Sequence, residues 1–251
     1  MSEAALGRHE RIFMRRFIAT LIGLKLWLLL VAATLFVSST SVESQSARPA
    51  PTTPTPVTEK VSRPTSEPYR GDLSIFEGAE REKNLQVDRI MDVLLISEGK
   101  SVADIGAGSG WFTVRAAKRV GRAGKVYAVE INPDSIEYIN KRAVGEGFNN
   151  ISTILGKTDD PSLPVNSVDA VLILKTYHEF AQPVAIMKKV RPAIKKGGLI
   201  GIIDRSGDGA DHGLDEATVI SEMKLAGFVL QEKHDFVKGD NMDYFLVFRV
   251  S

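Results

Sequence analysis

Residues 102–113 read VADIGAGSGWFT, a stretch in which an acid, Asp104, is followed by Gly106, Gly108 and Gly110. The residues before Gly106 form a short apolar run of strand length, and residues 111–120 have the apolar periodicity of a helix. Glycine adopts backbone conformations that other residues avoid and lets a ligand approach where a Cβ would clash. The stretch therefore predicts a ligand-binding turn between a buried β-strand and an α-helix.

The rest of the chain from residue 71 alternates between strand and helix patterns. Helical patterns are predicted for residues 72–96, 111–120, 132–143, 182–194 and 218–226. Besides SVADIG, the runs that predict strands are KVYAVEI, ISTILG, VDAVLIL, GLIGIID, FVLQEKHDFV and DYFLVFRV. This alternation predicts an α/β fold with a parallel sheet and helices on both faces, and the last two runs are close enough to form a hairpin.

The glycine spacing argues against a nicotinamide dinucleotide as the ligand. The dinucleotide fingerprint is G-x-G-x-x-G, whereas here the third glycine comes one residue early and Trp111 takes its place. An acid before the loop would repel pyrophosphate but suits a ligand with a positive end. Glu130 ends the second predicted strand, 20 residues after Gly110, where a carboxylate can bind ribose hydroxyls. S-adenosylmethionine has both a cationic end and a ribose.

Four segments carry a family resemblance that extends over residues 76–250: VADIGAGSG, VYAVEI, DDPSLPVNSVDAVLILKTYHEF and IKKGGLIGIID. In these segments the domain resembles a class I S-adenosylmethionine-dependent methyltransferase of the ubiquinone/menaquinone-methyltransferase-like group. The resemblance implies a doubly wound, Rossmann-like, seven-stranded sheet that is mostly parallel with a reversed terminal strand. It also implies methyl transfer from S-adenosylmethionine to a small-molecule acceptor, which no motif identifies. A module that binds the cofactor without turnover is the alternative.

The resemblance assigns cofactor-binding roles to three parts of the chain. It implies that the methionine end is held by Asp104 and by the backbone of Gly106, Ala107, Gly108 and Gly110. Glu130 would bind the ribose hydroxyls, and Ile131, the next residue, would also belong to the cofactor site. Either Asp159 or Asp160 would bind the adenine amino group. Family members often have Gly-Asp after the third strand, whereas here Lys157 and Thr158 follow Gly156, so the choice between the two acids stays open.

The segment KTYHEF, residues 175–180, follows the fourth predicted strand and is expected to face the transferred methyl group. His178 is a candidate general base, although a packed or capping histidine has the same signature. Tyr177 is a candidate to line the sulfonium pocket, because an aromatic face attracts a cation. A nucleophilic acceptor needs mainly alignment, so a base can be absent altogether. Residues 80–86, EREKNLQ, either cover the acceptor pocket or form a solvated face.

Composition excludes several classes of function. The chain has 251 residues, no cysteine and a formal net charge of +1. Without cysteine, disulfides, thiolate metal sites and cysteine nucleophiles are impossible. Without a basic excess, nucleic acid is not an expected partner. We expect no metal site either, because His212 and His234 show no paired histidine spacing.

The first 70 residues have a different composition from the domain. Residues 1–37 are expected to be a signal peptide or membrane anchor, since arginines precede an apolar run at 17–37 that only Lys25 interrupts. Residues 38–70 predict a disordered Pro/Ser/Thr-rich linker, and 71–251 the methyltransferase domain. The charge bias predicts a membrane-anchored or exported protein with the domain outside the cytoplasm, on the periplasmic side in a bacterium. A cytoplasm-facing domain is the alternative, because S-adenosylmethionine is made there. The sequence does not indicate an oligomeric state.

Overall fold

The computed structural model describes residues 62–65, 69–209 and 212–251. The predicted signal or anchor at 1–37 and most of the predicted linker lie outside these ranges. No helix within them is both long and apolar enough to cross a membrane. Arg63 packs against the domain, since its guanidinium lies 2.6 Å from the Glu222 carboxylate and its amide donates to Ala181 O. Contact with the domain therefore begins before the boundary predicted at Gly71.

Within the described residues, seven strands form one sheet. They are β1 (Ser101–Ile105), β2 (Lys125–Glu130), β3 (Ile151–Leu155), β4 (Val168–Leu174), β5 (Ile194–Asp204), β6 (Phe228–His234) and β7 (Tyr244–Val250). Their order is β3-β2-β1-β4-β5-β7-β6, and β7 runs antiparallel to both of its neighbours while the other pairs are parallel. The predicted fold, with its reversed terminal strand, is confirmed.

Helices connect the strands and cover both faces of the sheet. The helices of the described chain are α1 (Arg81–Leu85), α2 (Val87–Val93), α3 (Trp111–Val120), α4 (Pro133–Gly145), α5 (Pro183–Val190) and α6 (Glu216–Leu225). Because side chains alternate along a strand, neighbouring residues of β1 enter different cores. Val102 packs with α1, α2 and α3, whereas Ala103 packs with α5 and α6.

The region before β1 differs from its prediction. A single helix was expected over residues 72–96, but the structure has a one-turn 3₁₀ helix at Leu73–Phe76, followed by α1 and α2. Gln86 interrupts the helix between α1 and α2, because its φ of +53° is left-handed. Its Nε2 donates to Phe236 O at 2.9 Å. Leu85 and Ile90, on either side of the break, are both fully buried in one core cluster. Tertiary packing thus overrides the local helical pattern.

The sheet brings the ends of three strands together. β1 lies between β2 and β4, and all three are parallel, so the segments that follow them meet at one edge. From β1 the chain continues to β2 and β3 on one side of β1, and then crosses to β4 on the other side. The strand order therefore reverses at β1, and this edge is the switch point of the sheet. Ligands of doubly wound sheets bind at such a point.

Candidate active site

A cavity of about 600 Å³ opens at this edge of the sheet. Its wall includes the turn after β1, the end of β2 and the segment after β4, and the volume is typical of a small-molecule pocket. Apolar side chains supply much of the surface, among them Leu73, Phe76, Phe112, Phe180 and Ile186. The fold therefore places a mostly apolar cavity where the sequence predicted a ligand.

The three glycines of the turn serve different purposes, although all have positive φ. A Cβ added to Gly106 would overlap the side chain of Thr176. Glycine at this position therefore lets the turn after β1 lie against the segment after β4. Gly110 is the N-cap of α3, lies outside the cavity wall, and a Cβ there would press on Ile139 at 3.1 Å. Gly108 lines the cavity, and a Cβ on it would point into space whose nearest atom is 3.9 Å away. Of the three, Gly108 is the one that keeps ligand space open.

Backbone hydrogen bonds fix the position of the turn. The amides of Gly106 and Ala107 both donate to Val129 O on β2, at 2.9 and 3.1 Å. Ala107 itself lines the cavity. The turn is therefore attached to the neighbouring strand before any ligand binds.

Glu130 is held rigidly at the edge of the cavity. Its carboxylate accepts hydrogen bonds from the amides of Gly108 at 3.2 Å, Ile131 at 2.8 Å and Asn132 at 3.3 Å. Ile131 follows it in the cavity wall and is 41% exposed as a residue. A carboxylate fixed in this way can accept further hydrogen bonds from a ligand with little loss of side-chain entropy.

Asp104 is a buried acid in the cavity wall. Thr113 Oγ1 donates to its carboxylate at 2.6 Å. Burial raises the pKa of Asp104 to about 6; the hydrogen bond from Thr113 and the charge of Arg81 oppose this rise, and the charge of Glu130 adds to it. The ionised form at neutral pH is therefore electrostatically costly, and a cationic ligand would relieve that cost.

Arg81 lies in the same wall, which agrees with the pocket-cover alternative for residues 80–86. The other alternative, a solvated face, does not describe this residue, because the Arg81 side chain is only 16% exposed. Its guanidinium lies 4.5 Å from the centre of the Trp111 ring and donates to Phe76 O at 2.9 Å. The cavity wall thus contains an arginine whose charge acts on Asp104 and whose Nε lies 3.4 Å from the Asp240 carboxylate.

The acids after β3 lie outside the cavity wall. Asp159 is exposed, and Asp160 accepts a hydrogen bond from the amide of Ser162 at 2.7 Å in a local turn. Lys157 and Thr158, the residues that depart from the family pattern, line the cavity instead. Binding of an adenine amino group by either acid therefore stays a prediction that the cavity lining does not support.

Tyr177 also lies outside the cavity wall. Its side chain is fully buried in the core, with its ring 5.4 Å from that of Phe180 and the Arg63 guanidinium 5.6 Å from its centre. Burial raises its pKa well above the usual range. That this ring lines a sulfonium pocket therefore stays a prediction that the cavity lining does not support, because the ring packs in the core beside Phe180.

His178, the next residue, lines the cavity. Its Nδ1 lies 2.9 Å from both carboxylate oxygens of Asp204, and its Nε2 lies 3.1 Å from Glu179 Oε1. Asp204 is the last residue of β5 and is fully buried. Asp204 was not among the predicted site residues, although it has the same signal as Glu130, an acid that ends an apolar strand.

Comparisons with known proteins agree with this geometry. A family model described as a methyltransferase domain matches residues 96–238, more than half of the chain. The aklanonic acid methyltransferase DauC of Streptomyces sp. (strain C5) is 31% identical over 125 residues, 50% of each protein. Demethylmenaquinone methyltransferase of Geobacillus stearothermophilus is 24% identical over 117 residues, 47% of this chain and 50% of that protein. The chain spans about half the length of these curated relatives.

Solved structures share the fold. A SAM-dependent methyltransferase from Aquifex aeolicus superposes with a TM-score of 0.65 at 20% identity, over 72% of this chain and 100% of that one. The [4+2]-cyclase SpnF superposes with a TM-score of 0.56 at 16% identity, over 66% of this chain and 80% of that one. Because a cyclase has the same fold, the fold alone does not specify the reaction.

Proposed function

We propose, from the premise that this chain belongs to the methyltransferase-domain family, that it is an enzyme that transfers the methyl group of S-adenosylmethionine to a small, largely apolar acceptor. The observation that carries the proposal is the cavity itself. One continuous wall contains residues 104–109 of the acidic glycine turn and the polar segment after β4.

The residues of this wall fit S-adenosylmethionine. Gly108 leaves a space that a Cβ would fill, and Glu130 presents a carboxylate held by three amides to the ribose hydroxyls. Asp104 is suited to the α-amino group or the sulfonium, and Arg81 to the carboxylate of the methionine end. When bound, S-adenosylmethionine supplies a methyl group on a positively charged sulfur.

The acceptor is inferred from the remaining wall. Apolar side chains favour a molecule with an apolar ring or chain, while His178 and Glu179 are polar groups that can hold or deprotonate a hydroxyl. The curated relatives include proteins named for aklanonic acid and demethylmenaquinone. We therefore propose an acceptor with an ionisable oxygen on an apolar ring system, of the kind found in the quinone-methylating group.

The wall contributes to the reaction chiefly through alignment and exclusion of water. Phe76 and Leu73 come from the segment before α1 and cover the cavity, and the carbonyl of Tyr69 accepts from Asn132 Nδ2 at 3.0 Å. Holding two reactants in one dry cavity can supply a large part of the rate enhancement, about 7 to 11 kcal/mol in favourable cases. A specific base adds to this effect but is not required.

The test of the function uses the full-length chain in two assays. Calorimetry is expected to show binding of S-adenosylmethionine and S-adenosylhomocysteine but not of NAD. Incubation with methyl-labelled S-adenosylmethionine and a panel of phenols, enols and quinols is expected to release S-adenosylhomocysteine with at least one acceptor. Binding of NAD with no response to S-adenosylmethionine would overturn the proposal. Cofactor binding without turnover on any acceptor would favour the non-catalytic module.

Affinity for S-adenosylmethionine is expected to depend on pH through Asp104. The pKa of this acid is about 6 in the free protein, so the anionic form that attracts a cation is lost as pH falls through 6. We expect affinity to be constant above pH 7 and to fall by up to about tenfold per pH unit below 6. Calorimetry between pH 5 and 8 measures this, and equal affinity at pH 5 and 8 would contradict it.

The variant Thr113→Val tests the cause of this pH dependence. Removal of the hydroxyl that donates to Asp104 is expected to raise the pKa of the acid further, because that hydrogen bond stabilises the anion. The midpoint of the affinity profile should then move to higher pH. Thr113 is fully buried, and valine has nearly the same shape, so the fold should persist.

Replacement of Glu130 by alanine is expected to weaken S-adenosylmethionine binding by about 1 to 3 kcal/mol, the range for hydrogen bonds to a charged group. The variant loses the ribose ligand and also the acceptor that fixes the amides of Gly108 and Ile131. The matched control is Glu137→Ala on α4, a surface glutamate that pairs with Lys141. If both folded variants bind like the native protein, the ribose is held elsewhere.

A further inference from the structure

Three side chains bring nitrogen and oxygen atoms together in the cavity wall. Glu179 Oε1 lies 3.1 Å from His178 Nε2 and 3.1 Å from His212 Nδ1, and the three atoms lie within 4.8 Å of one another. Ligands of one ion are about 3.0 to 3.4 Å apart when metal–ligand bonds are about 2.1 Å long. In the His178–Glu179–His212 cluster, the two distances to Glu179 Oε1 are therefore those of a metal-ligand set.

Asp204 fixes the orientation of His178 from the opposite side. Its carboxylate accepts from the amides of Arg205 at 3.0 Å and His178 at 3.3 Å, and it also contacts His178 Nδ1. A carboxylate only accepts, so Nδ1 must carry the hydrogen. Nε2 is then the nitrogen available on the cavity side. A buried carboxylate that orients the far nitrogen of a histidine is the usual outer-shell partner of a metal ligand.

The charges around His178 call for a cation. In the neutral tautomer that Asp204 selects, the lone pair of Nε2 faces the Glu179 carboxylate at 3.1 Å, and two acceptors at that distance repel. Either a proton or a metal ion between them removes the repulsion. His212 Nδ1 lies at the same distance from Glu179 Oε1, so a metal ion bound there has a second imidazole within reach.

We propose that the His178–Glu179–His212 cluster binds a divalent transition-metal ion, with Zn²⁺ as the representative. Two imidazoles and one carboxylate are a ligand set that suits such ions, and three protein ligands leave positions open for a substrate, as in catalytic zinc sites. His178, Glu179 and His212 all line the cavity that holds the glycine turn, so an open position faces that space.

The role of the ion, which rests on the proposed function, is to hold the acceptor. An acceptor hydroxyl bound to the ion loses its proton to solvent more readily, because the positive charge stabilises the oxyanion. That oxygen then forms the new bond to the methyl carbon, while the carbon–sulfur bond breaks and its electron pair stays on sulfur. The products are the methylated acceptor, S-adenosylhomocysteine and one released proton.

Metal binding is tested with the ion alone, on the full-length chain without a polyhistidine tag. The chain is freed of metal with a chelator, titrated with Co²⁺ while visible absorption is recorded, and then back-titrated with Zn²⁺. The variants are His212→Ala, whose side chain is 59% exposed, and Glu179→Gln, so neither is expected to unfold the domain. The control is Glu232→Gln, which removes a carboxylate 3.0 Å from another histidine, His234.

We expect one ion per native chain, with visible bands that Zn²⁺ displaces. Affinity should fall at least tenfold in His212→Ala and Glu179→Gln and stay unchanged in Glu232→Gln. Equal affinity in all four proteins, or no binding of either ion at millimolar concentration, would overturn the metal site. S-adenosylmethionine titrations of the same proteins keep the two proposals separate, because cofactor binding without metal binding rejects only the metal site.

Discussion

Replacement of Asp104 by asparagine is expected to abolish most cofactor affinity, by about 100-fold or more, while making the ligand-free protein more stable. The two effects have one cause. Burial makes the carboxylate costly in the empty cavity, and the same anion supplies the attraction for the cationic end of S-adenosylmethionine. Asparagine is uncharged but keeps an oxygen that can accept from Thr113.

The sign and size of the stability effect follow from the pKa of Asp104. The folded-state pKa of about 6 lies above the reference value of 3.8, so the folded state binds the proton more tightly. This group therefore makes the free energy of unfolding fall as pH rises from about 4 to 6, and the cost is complete above pH 6. A shift of this size corresponds to at most about 3 kcal/mol, which is the upper limit of the gain in Asp104→Asn at pH 7.5.

Urea unfolding and calorimetry of the two proteins at pH 7.5 measure both effects. At pH 4 the stability difference should shrink, since the native acid is then protonated. Asp88→Asn, which removes an exposed carboxylate on α2, serves as the control and should change neither quantity. A less stable Asp104→Asn protein that binds S-adenosylmethionine normally would show that Asp104 is a structural acid.

Replacement of Gly108 by valine is expected to reduce cofactor affinity at least 100-fold with the fold retained. The new side chain enters cavity space, where the nearest atom to its Cβ is 3.9 Å away, and so competes with the ligand rather than with the protein. Its left-handed backbone, with φ of +57°, adds a cost of about 1 to 2 kcal/mol to folding.

The variant Gly147→Val separates the loss of cofactor affinity from the loss of stability that a left-handed valine causes. Gly147 has a similar φ of +74°, no atom within 4 Å of an added Cβ, and a position outside the cavity wall. Both variants should lose comparable stability, but only Gly108→Val should lose binding. Gly106 is a poorer test, because an added Cβ would overlap Thr176 and damage the fold itself. Loss of binding in both variants, or in neither, would contradict the placement of the ligand beside Gly108.

The sequence by itself determined the sheet, the glycine turn and the acids at the ends of β1 and β2. These features depend on short stretches: apolar runs define buried strands, positive φ favours glycine, and an acid at the end of a strand is visible in the strand's own sequence. The start of α4 likewise depends only on neighbouring residues in the sequence. Asn132 caps it by accepting from the Asp134 amide at 2.9 Å, and Pro133 takes the first helical position.

Only the tertiary structure decided which side chains share the cavity. Tyr177 and His178 are adjacent in one helical turn, yet the first enters the core and the second the cavity, because the turn packs against β5 through Asp204. Arg81 has a surface-like sequence context and is buried on Trp111. His178 and His212 are 34 residues apart, so no spacing rule related them, and their meeting at Glu179 depends on two chain segments folding against one sheet edge. Local propensity acts over a few residues, whereas such contacts are set by the packing of whole elements.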